Sequence, residues 1–253
     1  MARNIIVGDV HGCLEELEEL LTLIKLESTD HLVLIGDLID RGPDAPGVVK
    51  KCAQLSQCCA VTLILGNHEE KLLRYLKHLR RKTGIEQQMK GTEEFPQLIQ
   101  ALTEEEHAFL ENAYYSYQFE GLTLVHGGVS KRLKFPFPAT YKVDTHAPKD
   151  YPGLELLTKI RYLNPDGNFV SLNEEGPEDA YWAEVYDGSY GHVYFGHQPF
   201  MQEHPKCFEN ATGLDTGCVY GGWLSAAILE GNTRSFVSVK AKKTYAKHFS
   251  SNI

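Results

Sequence analysis

His31-Leu32-Val33-Leu34-Ile35-Gly36-Asp37-Leu38-Ile39-Asp40-Arg41-Gly42 is the stretch on which the fold turns. Its branched apolar start has the length and composition of a buried strand, Gly36 lets the backbone turn, and Asp37 puts a carboxylate just past the strand's end. The same arrangement recurs on both sides. Asn4 to Val7 runs into Gly8-Asp9-Val10-His11-Gly12, and Ala60 to Leu65 into Gly66-Asn67-His68-Glu69; Leu122 to Val125 runs into His126-Gly127-Gly128, and Val193 to Phe195 into Gly196-His197. Five strands thus end on side chains able to hold a metal ion, usually beside a glycine. Ligands of open α/β sheets collect beyond the carboxyl ends of strands, so these residues are expected to converge in one crevice.

Between the strands the pattern becomes helical. From Cys13, Leu14, Leu17, Leu20, Leu21 and Ile24 share one face, with Glu15, Glu16, Glu18 and Glu19 opposite. Helices are predicted over 13–26, 46–56, 69–81 and 103–113. Leu224 to Leu229 and Arg234 to Val239, joined by Glu230-Gly231-Asn232, read as a β-hairpin. Phe135 to Pro152 carries four of the eleven prolines and is predicted to be a loop, a lid or rim. No composition shift marks a linker, so one α/β domain over residues 1–253 is expected, with strands packed between helices.

Composition narrows the function classes. The 253 residues are 42% hydrophobic and 23% charged, without a repeat or low-complexity tract, which argues against disorder. A formal net charge of −9 excludes a broad basic surface for nucleic acid. It leaves an anionic substrate open, because bound cations reverse the field inside one pocket. No apolar run approaches the ~18 to 20 residues of a membrane span, and the amino terminus lacks the layout of a signal peptide. The six cysteines form no Cys-x-x-Cys pair and read as reduced thiols, which predicts a cytoplasmic setting; a strand that begins at residue 4 is compatible with a targeting extension upstream.

The strand-end residues divide into two ligand sets: Asp9, His11 and Asp37 for one ion; Asp37, Asn67, His126 and His197 for the other. Asp9 and His11, two apart in extended backbone, point the same way, and an ionised carboxylate such as Asp37 has about four lone-pair sites and can bridge two cations. Carboxylate, amide and imidazole donors without thiolate suit two divalent ions, manganese first, with iron or zinc as alternatives. Each short motif has an ordinary reading as a turn, cap or surface ion pair. Their joint occurrence does not.

These motifs resemble those of the calcineurin-like metallophosphoesterases of the phosphoprotein-phosphatase superfamily, over nearly the whole chain and in order. The resemblance implies two mixed β-sheets in a sandwich flanked by helices, with a dinuclear metal site at the strand ends. In the second half, Ile160-Arg161-Tyr162, Pro165-Asp166-Gly167, Trp182, Gly196-His197 and Leu214-Asp215-Thr216-Gly217-Cys218 through Gly221-Gly222 resemble the symmetrical bis(5'-nucleosyl)-tetraphosphatases and their ApaH-like relatives. That branch implies a small nucleotide or polyphosphate substrate, diadenosine tetraphosphate in type, with capped RNA and polyphosphate among the alternatives.

Within such a site two cations supply a nucleophile at neutral pH, His68 is the general acid with Asp40 fixing its tautomer, and Arg41 and Arg161 bind phosphoryl oxygens. Lys131, Arg132 and Lys134 follow His126 closely and are expected at the rim, holding distal phosphates; Lys77 to Lys82 and Lys240 to Lys247 read as solvated faces. Trp182, Tyr186 and Tyr190 offer base stacking, although core packing is their commoner fate. His31, His78, His107, His146, His192, His204 and His248 are read as surface or structural. Cys13 and Cys218 are read as apolar filler, with oxidation sensitivity as the functional alternative. The nearest rival function is a serine/threonine phosphoprotein phosphatase, which shares every first-half residue; a catalytically silent binding module would lack a ligand or the acid.

Overall fold

Side chains alternate along the first strands, and this alternation builds two layers. In the computed structural model, which describes residues 2–143 and 150–247, Ile5, Val7, Leu32 and Leu34 pack with the helix residues Leu17, Leu20 and Val48. Their neighbours Ile6 and Val33 turn the other way, onto Leu124 and Tyr194 of a second sheet. His146, His248 and residues 144–149 of the predicted loop lie outside the described residues.

In chain order the elements are β1 (Asn4–Val7), α1 (Leu14–Leu23), β2 (His31–Leu34), α2 (Ala45–Leu55), β3 (Ala60–Leu63), α3 (Asn67–Arg81), α4 (Phe95–Ala101), α5 (Glu104–Glu111), β4 (Tyr114–Phe119), β5 (Leu122–Leu124), β6 (Tyr141–Lys142), β7 (Tyr162–Leu163), β8 (Phe169–Val170), β9 (Ala180–Tyr181), α6 (Trp182–Val185), β10 (His192–Phe195), β11 (Lys206–Cys207), β12 (Ala211–Gly213), β13 (Asp215–Thr216), β14 (Trp223–Glu230) and β15 (Thr233–Lys240). One sheet runs β13-β14-β1-β2-β3, with β15 also paired to β14; the second runs β11-β12-β10-β5-β4-β6; a small third is β8-β7-β9. Both large sheets are mixed. β1, β2 and β3 are parallel and level, with Val7 beside Leu34 and Leu34 beside Leu63, so Asp9, Asp37 and Asn67 emerge at one edge. β5 and β10 are likewise parallel, which brings out His126 and His197 together. Helices cover the outer face of the first sheet, as expected of the sandwich.

Helix ends follow local chemistry. Asp44 caps α2 by accepting the Gly47 N–H at 2.8 Å, and Thr103 with Glu106 forms a capping box on α5. α3 begins at Asn67, two residues earlier than its apolar periodicity indicates, so Asn67 and His68 sit on its first turn. α4 was not apparent in the sequence because seven residues hold too few turns for a period to show. Part of the segment read as loop from Phe135 forms β6 against β4, and the hairpin is longer than expected, Trp223–Glu230 with Thr233–Lys240. Two-residue strands such as β7, β8 and β9 leave no pattern in the sequence.

Candidate active site

Asp37 occupies the middle of the strand-end cluster. Its Oδ2 lies 3.5 Å from His11 Nε2, 3.3 Å from His126 Nε2 and 3.9 Å from His68 Nε2. The backbone around it is strained: His11, Asp37, Asp40, Arg41 and His197 all adopt positive φ, from 45° to 70°. For non-glycine residues this conformation costs on the order of 1–3 kcal/mol each and persists only where the surroundings enforce it. Much of the enforcement comes from Glu69, wholly buried on the first turn of α3. Its carboxylate accepts the N–H groups of Asp37 and Leu38 at 2.8 Å and those of Ile39 and Gly66 at 3.2 Å. Gly66 must lack a side chain, because a Cβ there would overlap the carboxylate of Asp37 and its amide. Glu69 stood inside a quoted motif, but its anchoring role depends on a contact 32 residues away that no local pattern records.

Two imidazoles present the same nitrogen inward. His11 Nδ1 donates to Ile39 O at 2.9 Å and His126 Nδ1 to Ile35 O at 2.8 Å, which turns each Nε2 toward Asp37. The amide oxygen of Asn67 lies 3.2 Å from His126 Nε2. Asp9 stands to one side, its two carboxylate oxygens taking the His197 N–H at 3.2 and 3.0 Å. Gly196 carries no Cβ because the Asp9 carboxylate fills that space.

The electrostatics show a buried array short of positive charge. Burial pushes Asp9 well above the usual carboxylate range, helped by the nearby Asp215. Burial also acts to raise Asp37, but the imidazoles of His126, His68 and His11 override it and hold Asp37 well below that range. Burial opposes charge on His126, yet Asp37 and Asp9 together raise it to about 9. His11 is lowered to about 3 by burial, and His197 falls by burial and by the facing Arg161. Asp215, given no role in the sequence reading, is pushed up to about 6 by burial.

These residues fit divalent cations. With each Nδ1–H committed to a carbonyl, the inward Nε2 of neutral His11 carries a lone pair, while that of His126 carries the proton that Asp37 and Asp9 favour, and a cation set between these nitrogens and the carboxylate and amide oxygens would take that proton's place. The donor atoms of His11, Asp37 and His68 lie within 4.8 Å of one another, as do those of Asp37, His126 and His197, and Asp37 is common to both groups. The first group differs from the sequence reading in holding His68 in place of Asp9. His11 Nε2 also lies 2.8 Å from Arg41 NH1, so this nitrogen is shared with a guanidinium.

The remaining groups surround this centre. His68 Nδ1 is 2.6 Å from Asp40 Oδ2, and its Nε2 is buried without a hydrogen-bond partner. Arg161 donates to His197 O at 2.8 Å. Arg41, Arg161, Asn67 and His197 line a cavity of about 400 Å³ together with Lys71, Arg74 and Lys159, so five cations converge on it in a protein of net charge −9. The carboxylate on that wall is Glu70, 3.3 Å from Arg74 and 3.8 Å from Lys159.

Lys131 and Arg132 line a different cavity of about 570 Å³ with Trp182 and Tyr186. There Lys131 pairs with Asp187 at 2.6 Å and Arg132 donates to Asp166 O at 2.8 Å. Trp182 is wholly buried against Phe195, which places it in the core. Tyr186 and Tyr190 stack on each other at 6.0 Å. His31, His78, His107 and His192 bond to side-chain or backbone oxygens away from the centre, and His204 is exposed.

The fold and this centre are those of a metal-dependent hydrolase, and the calcineurin-like phosphoesterase family model matches residues 2–201. The chain belongs to that family, whose members use a dinuclear divalent metal site. It is 32% identical to the asymmetrical bis(5'-nucleosyl)-tetraphosphatase PrpE of Halalkalibacterium halodurans, over 94% of each chain. It is 27% identical to the symmetrical bis(5'-nucleosyl)-tetraphosphatase of Ralstonia nicotianae, over 87% of each. A crystal structure of a proposed diadenosine tetraphosphatase superposes with a TM-score of 0.71 at 28% identity, covering 95% of this chain and 94% of that one.

Proposed function

We propose that this chain hydrolyses a phosphoanhydride bond of a dinucleoside polyphosphate of the diadenosine tetraphosphate type. The observation that carries the reading is the cavity opening on Asn67 and His197, where five cations and the one carboxylate of Glu70 leave four positive charges in excess: the four ionised phosphates of such a substrate match them, and a single phosphate does not. The names of the relatives point to the same substrate class. Since those names include both cleavage types, the position of the broken bond is read from products. Symmetrical cleavage of diadenosine tetraphosphate gives ADP alone, and asymmetrical cleavage gives ATP with AMP.

Asp9, His11 and Asp37 would hold one divalent ion and Asp37, Asn67, His126 and His197 the other; oxygen and nitrogen donors favour manganese, with iron or zinc next. When bound, the ions supply a strong nucleophile at neutral pH and offset phosphate charge. Arg41 and Arg161 clamp phosphoryl oxygens through planar guanidinium groups, and binding there draws Arg41 away from His11. Asp40 holds the Nδ1–H of His68, so the doubly protonated ring delivers its Nε2 proton to the departing oxygen. Lys71 and Lys159 bind the outer phosphates, the role that Lys131 and Arg132 were expected to fill from the rim.

One domain spanning residues 1–253 is supported by β1 pairing with β14, which joins the two ends of the chain in one sheet. A cytoplasmic setting is supported by six free cysteines, and among the described residues no helix is long and apolar enough to cross a membrane. Mass-spectrometric product analysis on a panel of diadenosine tetraphosphate, capped RNA, polyphosphate and phosphopeptides tests the substrate. Turnover confined to the phosphopeptides would replace this reading with a phosphoprotein phosphatase.

A further inference from the structure

A second cluster of metal-binding side chains lies outside the strand-end centre. Cys13 precedes the first turn of α1, Glu16 lies on that turn, and Cys218 follows β13, three residues beyond Asp215. All three are 0–1% exposed. The two sulfur atoms and a carboxylate oxygen of Glu16 lie within 4.8 Å of one another. Glu16 Oε1 accepts the Lys242 N–H at 2.8 Å and the Tyr245 hydroxyl at 2.7 Å. Its Oε2 is buried with no hydrogen-bond partner, and among the described residues no lysine or arginine side chain forms an ion pair with it.

A carboxylate with an unpartnered oxygen in a dry interior is costly unless a cation neutralises it. Two thiols beside that carboxylate are poor hydrogen-bond donors but, once deprotonated, strong ligands for a soft metal ion. We propose that Cys13, Cys218 and Glu16 form a structural site for a divalent cation of the zinc class, separate from the strand-end centre. Two sulfurs and one oxygen of Glu16 offer three donors of the thiolate and carboxylate kinds that zinc takes, and burial keeps substrate away from them. Binding forms two metal–sulfur bonds and releases the two S–H protons to solvent, with no change of oxidation state. The two sites differ in ligand softness: sulfur selects zinc, whereas the oxygen and nitrogen centre accepts manganese. An ion here ties the turn after His11 to the turn after Asp215 and, through Glu16, to residues 242–245.

The test uses the full chain. After dialysis against excess manganese, elemental analysis is expected to find a zinc equivalent that manganese does not displace. With cobalt in place of zinc, the protein should show intense sulfur-to-metal charge-transfer absorption in the near ultraviolet, a signal that oxygen and nitrogen ligands do not give. That band should vanish in Cys13→Ser and Cys218→Ser and persist in Cys58→Ser and Cys207→Ser, whose thiols are exposed. The wild-type chain decides the matter even where a variant fails to fold. A cobalt form without the sulfur band, a Cys13–Cys218 disulfide by mass spectrometry, or alkylation of both thiols as fast with zinc as without it would overturn the proposal.

Discussion

Replacing Glu69 by glutamine removes one acceptor oxygen from a carboxylate that receives four backbone N–H groups. Whichever way the new amide is oriented, two of those donors face an NH₂ group and lose their bonds. Hydrogen bonds to a charged acceptor contribute about 1.5–3 kcal/mol each, which gives roughly 3–6 kcal/mol for the pair. Burial, together with the charge of Asp37, raises Glu69 to about 7, so near neutral pH the group is ionised only part of the time, and the lower end, ~3 kcal/mol, is the expected loss. That is a large share of the 5–15 kcal/mol that holds a typical domain together. Urea unfolding of the metal-free protein measures it, and the slope should stay unchanged while the midpoint falls. The functional effect follows from the same bonds. Three of them hold Asp37 to Ile39, where Asp37 sits at φ 51°, and without them the turn relaxes and moves the central carboxylate. Loss of such supporting contacts costs roughly 10–100-fold in metal affinity. A Glu69→Gln protein with wild-type stability and undiminished metal binding would refute both the count of hydrogen bonds and the anchoring role.

His68→Asn, compared at equal metal content, should lower phosphopeptide hydrolysis by on the order of 10² to 10⁴-fold, because an alkoxide needs protonation to leave. Phosphoanhydride hydrolysis should fall much less, since a terminal phosphate leaves as a weak base; equal losses in steady-state rates would remove the acid assignment. Lys71→Met combined with Lys159→Met should raise KM for diadenosine tetraphosphate while sparing a small aryl phosphate, and the difference should shrink as salt is added. If KM rises equally for both, the cavity does not hold the outer phosphates. Asp30 gives a pH prediction: burial pushes it up, but the paired Arg3 guanidinium at 2.5 and 3.0 Å and the Glu27 amide outweigh this and hold it below the ordinary range. Its contribution is therefore full above the unfolded-state value of about 3.9 and is lost as pH falls through the lower folded value. Arg3→Met should cost on the order of 1–3 kcal/mol at pH 7 and progressively less as pH falls below the ordinary carboxylate value toward the lower folded one, measured by denaturant midpoints, and a loss independent of pH would count against the pair.

The strand-end motifs were legible because strand, turn and ligand are neighbours in sequence. Val7, Leu34 and Phe195 each end a strand, a glycine follows within two residues, and the polar side chain must then lie beyond the sheet edge wherever the sheet is placed. The same local chemistry indicated four of the helices and the hairpin. What depends on orientation and long-range contact was not legible. Lys131 and Lys159 look alike in the chain, yet one pairs with Asp187 at another cavity and the other faces the metal centre beside Arg161, because packing of the loops around β7 decides which wall each residue joins. Glu69 reads as a first-turn helix residue until β2 brings its turn within 2.8 Å, and Cys13 and Cys218 meet across 205 positions only because β14 lies beside β1. The sequence by itself determined the strand ends and the polar residues that follow them; the tertiary structure alone decided which of those residues gather around Asp37 and which charges share a cavity, since that depends on the register of sheets whose partners lie far apart in the chain.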